Sequence, residues 1–324
     1  EQELYAKGLS NSSAFGRLQL AMDYWCALWF WPIEHIEDLP SREDWLFELE
    51  NLLLGDLIST QPHTQQGSLF ADTNPEQGKR FVNEFGVVNT QLLKSAFFRF
   101  ELVERIAQQQ AFFHWPLRFA DIYADSAHTQ EAGAQEGFDL ILGNPPWLKV
   151  EWSSVAVLGD FEPRFILRKF TAPQIAKLRD EVFSTYPQAQ AIWLSEYVGS
   201  EGTQNFLNAY SNYPVLAGVQ TNLYKCFLPQ AWNNSSPLGV SGFLHPEGVY
   251  DDPRGGGLRR ELYKRLRAHF QFQNERTLFP IGNRNKFSIN VFGSYLDQPA
   301  FINIANLFVP HTIDACFEPA GDRV

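Results

Sequence analysis

The 324-residue chain is 44% hydrophobic and 15% aromatic, ample for a sizeable core in one large domain or two smaller ones and too apolar for disorder. It has no uninterrupted apolar run of membrane-spanning length and no signal peptide, which argues against a membrane-spanning helix, while its dispersed cysteines are expected of a cytoplasmic protein. A net charge of −11 excludes nucleic-acid binding by bulk attraction, so phosphate contacts would come from a local basic stripe or from elsewhere.

Cys26, Cys226 and Cys316 lie far apart with no CxxC, and read as reduced core thiols. The histidines show no metal-ligand spacing. In chain order, Phe15, Leu18, Met22, Trp25 and Trp29 recur at helical spacing and predict a helix over 13–31, stopped by Pro32. Ser41-Arg42-Glu43-Asp44 is a capping signal for a second helix running to Leu54 and ending at Gly55. Residues 61–80 read as an exposed polar loop. A long helix is expected over 89–110, from Leu93, Phe97, Phe100, Val103 and Ile106, and a short strand over 117–123.

Phe138, Leu140, Ile141 and Leu142 follow, an apolar run bounded by Gly137 and Gly143 that reads as a fully buried central strand of a parallel sheet. Asn144-Pro145-Pro146-Trp147 ends it, since two prolines remove two ladder donors. A polar side chain and two rigid carbonyls would thus stand at the carboxyl end of a strand, where ligands bind in open α/β sheets. Such a group suits an exocyclic amine on a nucleobase. The Asn144 side-chain oxygen and the Pro145 carbonyl would accept its two N–H hydrogens, while Trp147 offers a π-face to the extruded base.

After an insertion over 150–220 with helices at 173–185 and 188–200, a helix is expected at 220–232 and a strand at 239–244, ending in His245-Pro246-Glu247-Gly248. Arg254 and the glycines after it open a helix carrying Arg259, Arg260, Lys264, Arg265 and Arg267, either a solvated face or a phosphate-contacting stripe. Paired strands are expected at 270–274 and 286–292, and a further strand at 301–304.

The Asn144-Pro145-Pro146-Trp147 segment resembles motif IV, (D/N/S)PP(Y/F/W), of the class I S-adenosylmethionine-dependent amino-methyltransferases. With Phe112-Phe113-His114-Trp115, Phe119 and Gly137-Phe138-Asp139, it is similar to the large adenine-specific methylases of type IIG restriction–modification enzymes and of the BREX and DISARM phage-defence systems. The resemblance implies an α/β fold: a Rossmann-like, mostly parallel sheet with flanking helices and a terminal antiparallel hairpin. A helical region would occupy 1–110, the catalytic half of the domain 111–300 and an extension 301–324. It implies methyl transfer from S-adenosylmethionine to adenine N6 in double-stranded DNA, with other subunits or domains of a defence system as further partners.

It also implies roles for particular residues. Asn144, Pro145, Pro146 and Trp147 would be catalytic, and Asp121 falls where such enzymes place an acid that contacts the cofactor's adenine, though a surface aspartate reads the same way. His245 would reach the pocket or be a satisfied strand-end histidine. Lys286 and Phe287 lie in a stretch resembling motif VIII, where an aromatic packs on the far side of the flipped base; a hairpin core residue is the other reading. Arg254, Arg259, Arg260 and Lys264 would meet DNA phosphates. No strand before Asn144 carries the glycine-rich turn that receives the cofactor, so the chain reads as an internal piece of a larger enzyme. The same motif also serves enzymes that methylate protein glutamine or RNA, and a non-catalytic DNA-clamping or assembly module could retain the fold.

Overall fold

The computed structural model describes residues 14–54, 88–123 and 137–318, which fall into two compact units. The first contains residues up to Arg118 together with Ser154–Gly202. Its helix Ala14–Ala27, continued by a tight turn over Leu28–Phe30, buries Leu20, Tyr24 and Ala27 in one cluster with Phe100, Val103 and Ile106. The helix Arg42–Leu54 opens on the expected cap, with the Asp44 N–H donating to Ser41 Oγ at 3.1 Å.

The single helix expected over 89–110 is two, Thr90–Ala96 and Arg99–Gln110. Asn89 caps the first by accepting the Leu92 N–H at 3.1 Å. Phe97 leaves helical geometry so that its ring meets Phe47 at 6.0 Å and Phe100 at 5.9 Å; packing overrides periodicity there. Leu158, Phe165, Ile175, Val182 and Ala189 form a second cluster in this unit, from the helices Ser154–Gly159, Arg164–Leu167 and Ala172–Thr185 and the start of Pro187–Asn208. The loop expected at 61–80 and the end of the second helix at Gly55 lie outside the described residues.

The second unit, Phe119–Ser153 with residues from Thr203 onward, is a mixed α/β structure around a five-stranded sheet. Its strands are β1 (Phe138–Gly143), β2 (Ser235–Pro246), β3 (Leu266–Gln273), β4 (Lys286–Phe292) and β5 (Ile302–Leu307), in the order β1-β2-β4-β3-β5. β1 is parallel to β2 and β3 to β5, while β4 is antiparallel to both β2 and β3, so four strands run one way and β4 alone runs back. Helix Leu223–Asn234 precedes β2 and helix Gly256–Arg265 precedes β3. Their Leu228, Ala231, Leu258 and Leu262 bury against Phe243 and Phe292, so both cover the same face of the sheet. No helix among the described residues is long and apolar enough to cross a membrane.

Two expectations are corrected. Residues 117–123 are not a strand but parts of two helical turns, Trp115–Arg118 and Ala120–Tyr123. Phe119 and Tyr123, four apart, both set their rings edge-on to Phe138, at 5.1 and 5.9 Å; a helical turn separates them by about 6 Å of rise, where a strand would hold them about 13 Å apart and out of reach of one ring. β1, expected at the centre of the sheet, is its outermost strand among the described residues, with Leu140 59% and Leu142 71% exposed. An apolar run fixes the strand conformation but not how many neighbours the strand acquires. Gly137 starts β1 at φ +110°, where an added Cβ would stand 2.8 Å from the Asn234 carbonyl oxygen; only glycine fits.

Candidate functional site

Asn144-Pro145-Pro146-Trp147 leaves β1 at the carboxyl edge of the sheet, as the prolines require. Asn144 and Pro146 are exposed and Pro145 is buried, so the carboxamide meets solvent while the chain beneath it is fixed. Trp147 is half-buried. Its indole N–H donates to the Leu244 carbonyl of β2 at 3.3 Å, tying the motif to the neighbouring strand. The Leu223 N–H, at the start of the helix before β2, donates to the Leu148 carbonyl at 2.9 Å and holds the exit of the motif.

Residues directly opposite in paired strands share a face. Pro246, Phe287 and Phe272 therefore form one row across β2, β4 and β3, and Leu244, Ile289 and Phe270 form the next. This is the aromatic face. Phe287 stacks on Phe272 at 5.4 Å and meets Trp147 at 6.1 Å and Phe279 at 4.9 Å; Phe279 also meets Trp147 at 5.6 Å. Phe287, at 2% exposure and in direct contact with Trp147, is thus a core residue of the hairpin, the second of its two expected readings. Lys286, one residue before it, is exposed at the start of β4. Phe279 was not singled out in the sequence, because residues 277–285 read there only as the turn of a hairpin.

His245 points to the other face, since side chains alternate along β2. Opposite it in register stand Ser288 and then Gln271, and one row away Asn290 and His269. His245 is fully buried between Tyr224 and Tyr250, with ring centroids 5.3 and 6.4 Å away. Its Nδ1 lies 2.9 Å from the Pro246 carbonyl, which can only accept, so Nδ1 carries the proton and the buried Nε2 is left without a partner. Burial pushes its pKa down to about 4, so the ring is neutral. His245 is thus on the face away from Phe287 and Phe272; it is part of the core under the covering helices.

Glu247 anchors the rest of this polar face. His269 Nε2 lies 3.1 Å from its Oε1 and Gln271 donates to its Oε2 at 2.8 Å. Burial opposes ionisation of Glu247, but the hydrogen bonds from His269, Ser288 and Gln271 outweigh it and the pKa falls. For His269 burial disfavours the charge, yet the bonds to Glu247 and Asn303 outweigh it and the pKa rises. Tyr250 donates to Asn290 Oδ1 at 2.5 Å, and Asn290 in turn donates to Ser288 Oγ at 2.9 Å. These groups satisfy one another and close a buried network.

The four basic candidates do not form one patch. Arg254 is exposed near the carboxyl edge of β2, just before helix Gly256–Arg265, which then runs back towards the start of β3. Lys264, in the last turn of that helix and about 12 Å of helical rise from its start, donates to the Tyr295 hydroxyl at 2.7 Å. Arg259 is spent on the Val249 and Asp252 carbonyls, and Arg260 remains exposed. Internal acceptors have taken Arg259 and Lys264, which charge spacing alone does not reveal.

A cofactor of the S-adenosylmethionine type needs a glycine-rich turn after a strand and an acid at a strand end. Asp121 sits exposed in the four-residue helix Ala120–Tyr123, and no strand among the described residues precedes β1. The described residues do not fit that cofactor, and no step is assigned through it. A scan against protein-family models finds no match for the chain, and a search of curated proteins finds no relative.

Proposed function

We propose that the second unit is the target-base half of a DNA adenine-N6 methyltransferase acting in restriction or phage defence. The reading takes the fold to be Rossmann-like and its class to be the amino-methyltransferases that the motif resembles. One observation carries it: an exposed Asn144 carboxamide and a half-buried Trp147 stand together at the carboxyl edge of parallel β1 and β2. A carboxamide oxygen and a rigid prolyl carbonyl can accept both hydrogens of an exocyclic amine, leaving its lone pair free for attack on a methyl donor. Pro145 is buried and fixed in φ, which suits it to aim that carbonyl. Trp147, tied to β2 through its N–H and packed against Phe279 and Phe287, offers a ring with little freedom left and so loses little entropy when a base stacks on it.

The methyl donor would be S-adenosylmethionine, and its binding is assigned to none of the described residues. Double-stranded DNA is the partner this reading requires, with Arg254 and Lys286 as the exposed cations closest in sequence to the carboxyl edge of β2 and the aromatic row. The reading places the protein in the cytoplasm; of the three free cysteines only Cys226 is buried, Cys26 being half-buried and Cys316 exposed rather than core thiols. The test is a titration of the protein with two duplexes that differ only in one unpaired base, adenine or thymine. Adenine should bind more tightly, and Trp147→Ala should weaken it by about 1–3 kcal/mol. Equal affinity for both bases, unaltered in Trp147→Ala, would contradict the reading.

A further inference from the structure

One buried side chain, Asn274, ties together the loop between β3 and β4. Asn274 is fully buried; the two hydrogens of its Nδ2 go to the carbonyls of Phe279 and Ile281 at 3.0 Å each, and the Gly282 carbonyl at 3.4 Å shares one of them. Its Oδ1 accepts the Phe279 N–H at 3.1 Å, and its own backbone N–H donates to the Asn285 carbonyl at 3.1 Å. One carboxamide thereby replaces the ladder that residues 277–285 lack. Thr277 turns the chain at φ +50°, with its N–H on the Asn274 carbonyl at 2.9 Å. The segment makes no strand pairing of its own, so beyond two backbone turn bonds and the packing of Phe279 and Ile281, Asn274 is what fixes its path.

What the loop delivers is Phe279. Its ring lies 5.6 Å from Trp147 and 4.9 Å from Phe287, closing an aromatic triangle against the motif that leaves β1. A tryptophan held by one N–H bond at 3.3 Å can still pivot about that bond; a ring packed against it restricts the pivot.

We infer that Asn274 is a positioning residue for the target base: it clamps the 277–285 loop so that Phe279 fixes the angle at which Trp147 meets a flipped adenine. This rests on the base-capture reading of Trp147 given above. Asparagine suits the role because three carbonyls and one N–H must be met by a single neutral group. Aspartate keeps the acceptor for the Phe279 N–H but loses every donor and adds a buried charge.

The test uses the protein labelled with 5-fluorotryptophan, with the Trp147 fluorine resonance assigned by its loss in Trp147→Phe. Asn274→Ala should shift and broaden that resonance and weaken capture of the unpaired-adenine duplex roughly 10-fold, within the range of one stacked base. Phe279→Leu keeps the clamp and the apolar volume, so it should stay folded and give the same two effects. It also decides the matter if Asn274→Ala fails to fold. A Trp147 resonance and an adenine affinity unchanged from wild type in a folded Asn274→Ala, or in Phe279→Leu, would overturn the inference. A shifted resonance in a protein whose wild type shows no preference for adenine would uphold the clamp and overturn base capture instead, so the two failures are distinct.

Discussion

The two faces of the sheet at its carboxyl edge are built from alternate residues of the same three strands, yet they are opposite in chemistry. Phe272, Phe287 and Leu244 face one way and carry Trp147; Gln271, Ser288 and His245 face the other and lie with Glu247, His269 and Tyr250. The titratable groups with displaced pKa values near this edge lie on the second face, where each shift traces to burial and a named partner. Displaced pKa values are often taken to mark catalysis. Here they mark a buried network across three strands, in which His245 Nε2 is left without a partner, while the groups proposed to meet a base, Asn144 and Trp147, carry no titratable proton.

The comparison predicts that damage to the polar face costs stability and leaves base capture alone. The largest effect is expected for His269→Ala, which leaves the Glu247 carboxylate buried without its main partner and should cost about 3–5 kcal/mol in chemical unfolding. A loss under about 1 kcal/mol, or a loss of adenine affinity in the folded variant, would break the division between the faces.

His245 gives a pH signature. Its folded pKa, about 4, lies below the ordinary imidazole value, so the unfolded chain takes up the proton first as pH falls. The stability it contributes is therefore complete above about pH 6.5 and drains away between there and about pH 4, by about 3 kcal/mol at most. Glu247, with a lowered pKa, reinforces the loss at the acid end. His269, with a raised one, acts in reverse: its share is full below the ordinary imidazole value and is lost as pH rises through its folded value. Urea unfolding from pH 4 to 8 should show the His245 slope, and His245→Phe, which also removes the unpartnered Nε2, should flatten it. An unchanged slope in that variant would assign the acid sensitivity elsewhere.

The smallest effect is expected at Lys286. It is exposed at the start of β4, so Lys286→Ala should alter stability by no more than about 0.5 kcal/mol. If it meets a phosphate, the same variant should reduce the salt dependence of duplex binding by about one unit of slope. An unaltered slope would remove Lys286 from the DNA-facing set.

Much of the aromatic face was legible in the sequence. The apolar run before Asn144 and the two prolines fix where β1 ends, and alternation in Phe287, Ile289 and Val291 gives β4 its face. Other features depend on tertiary partners. The turn at 120–123 exists because Phe119 and Tyr123 both seek Phe138, and nothing in a seven-residue window separates that from a strand. Phe279 was invisible because its loop owes its order to the buried side chain of Asn274, not to a turn signal. Arg259 looked like a free cation because the Val249 and Asp252 carbonyls that accept it leave no trace in composition.

The central claim is that Asn144 accepts a hydrogen bond from the target amine that matters most in the transition state. Single-turnover methyl transfer to an adenine-containing duplex tests it directly. Asn144→Ala should slow the step roughly 10²–10³-fold, by analogy with the loss of one oxyanion-hole donor, with little change in duplex affinity. A rate close to wild type would contradict the account and leave Asn144-Pro145-Pro146-Trp147 as a structural turn.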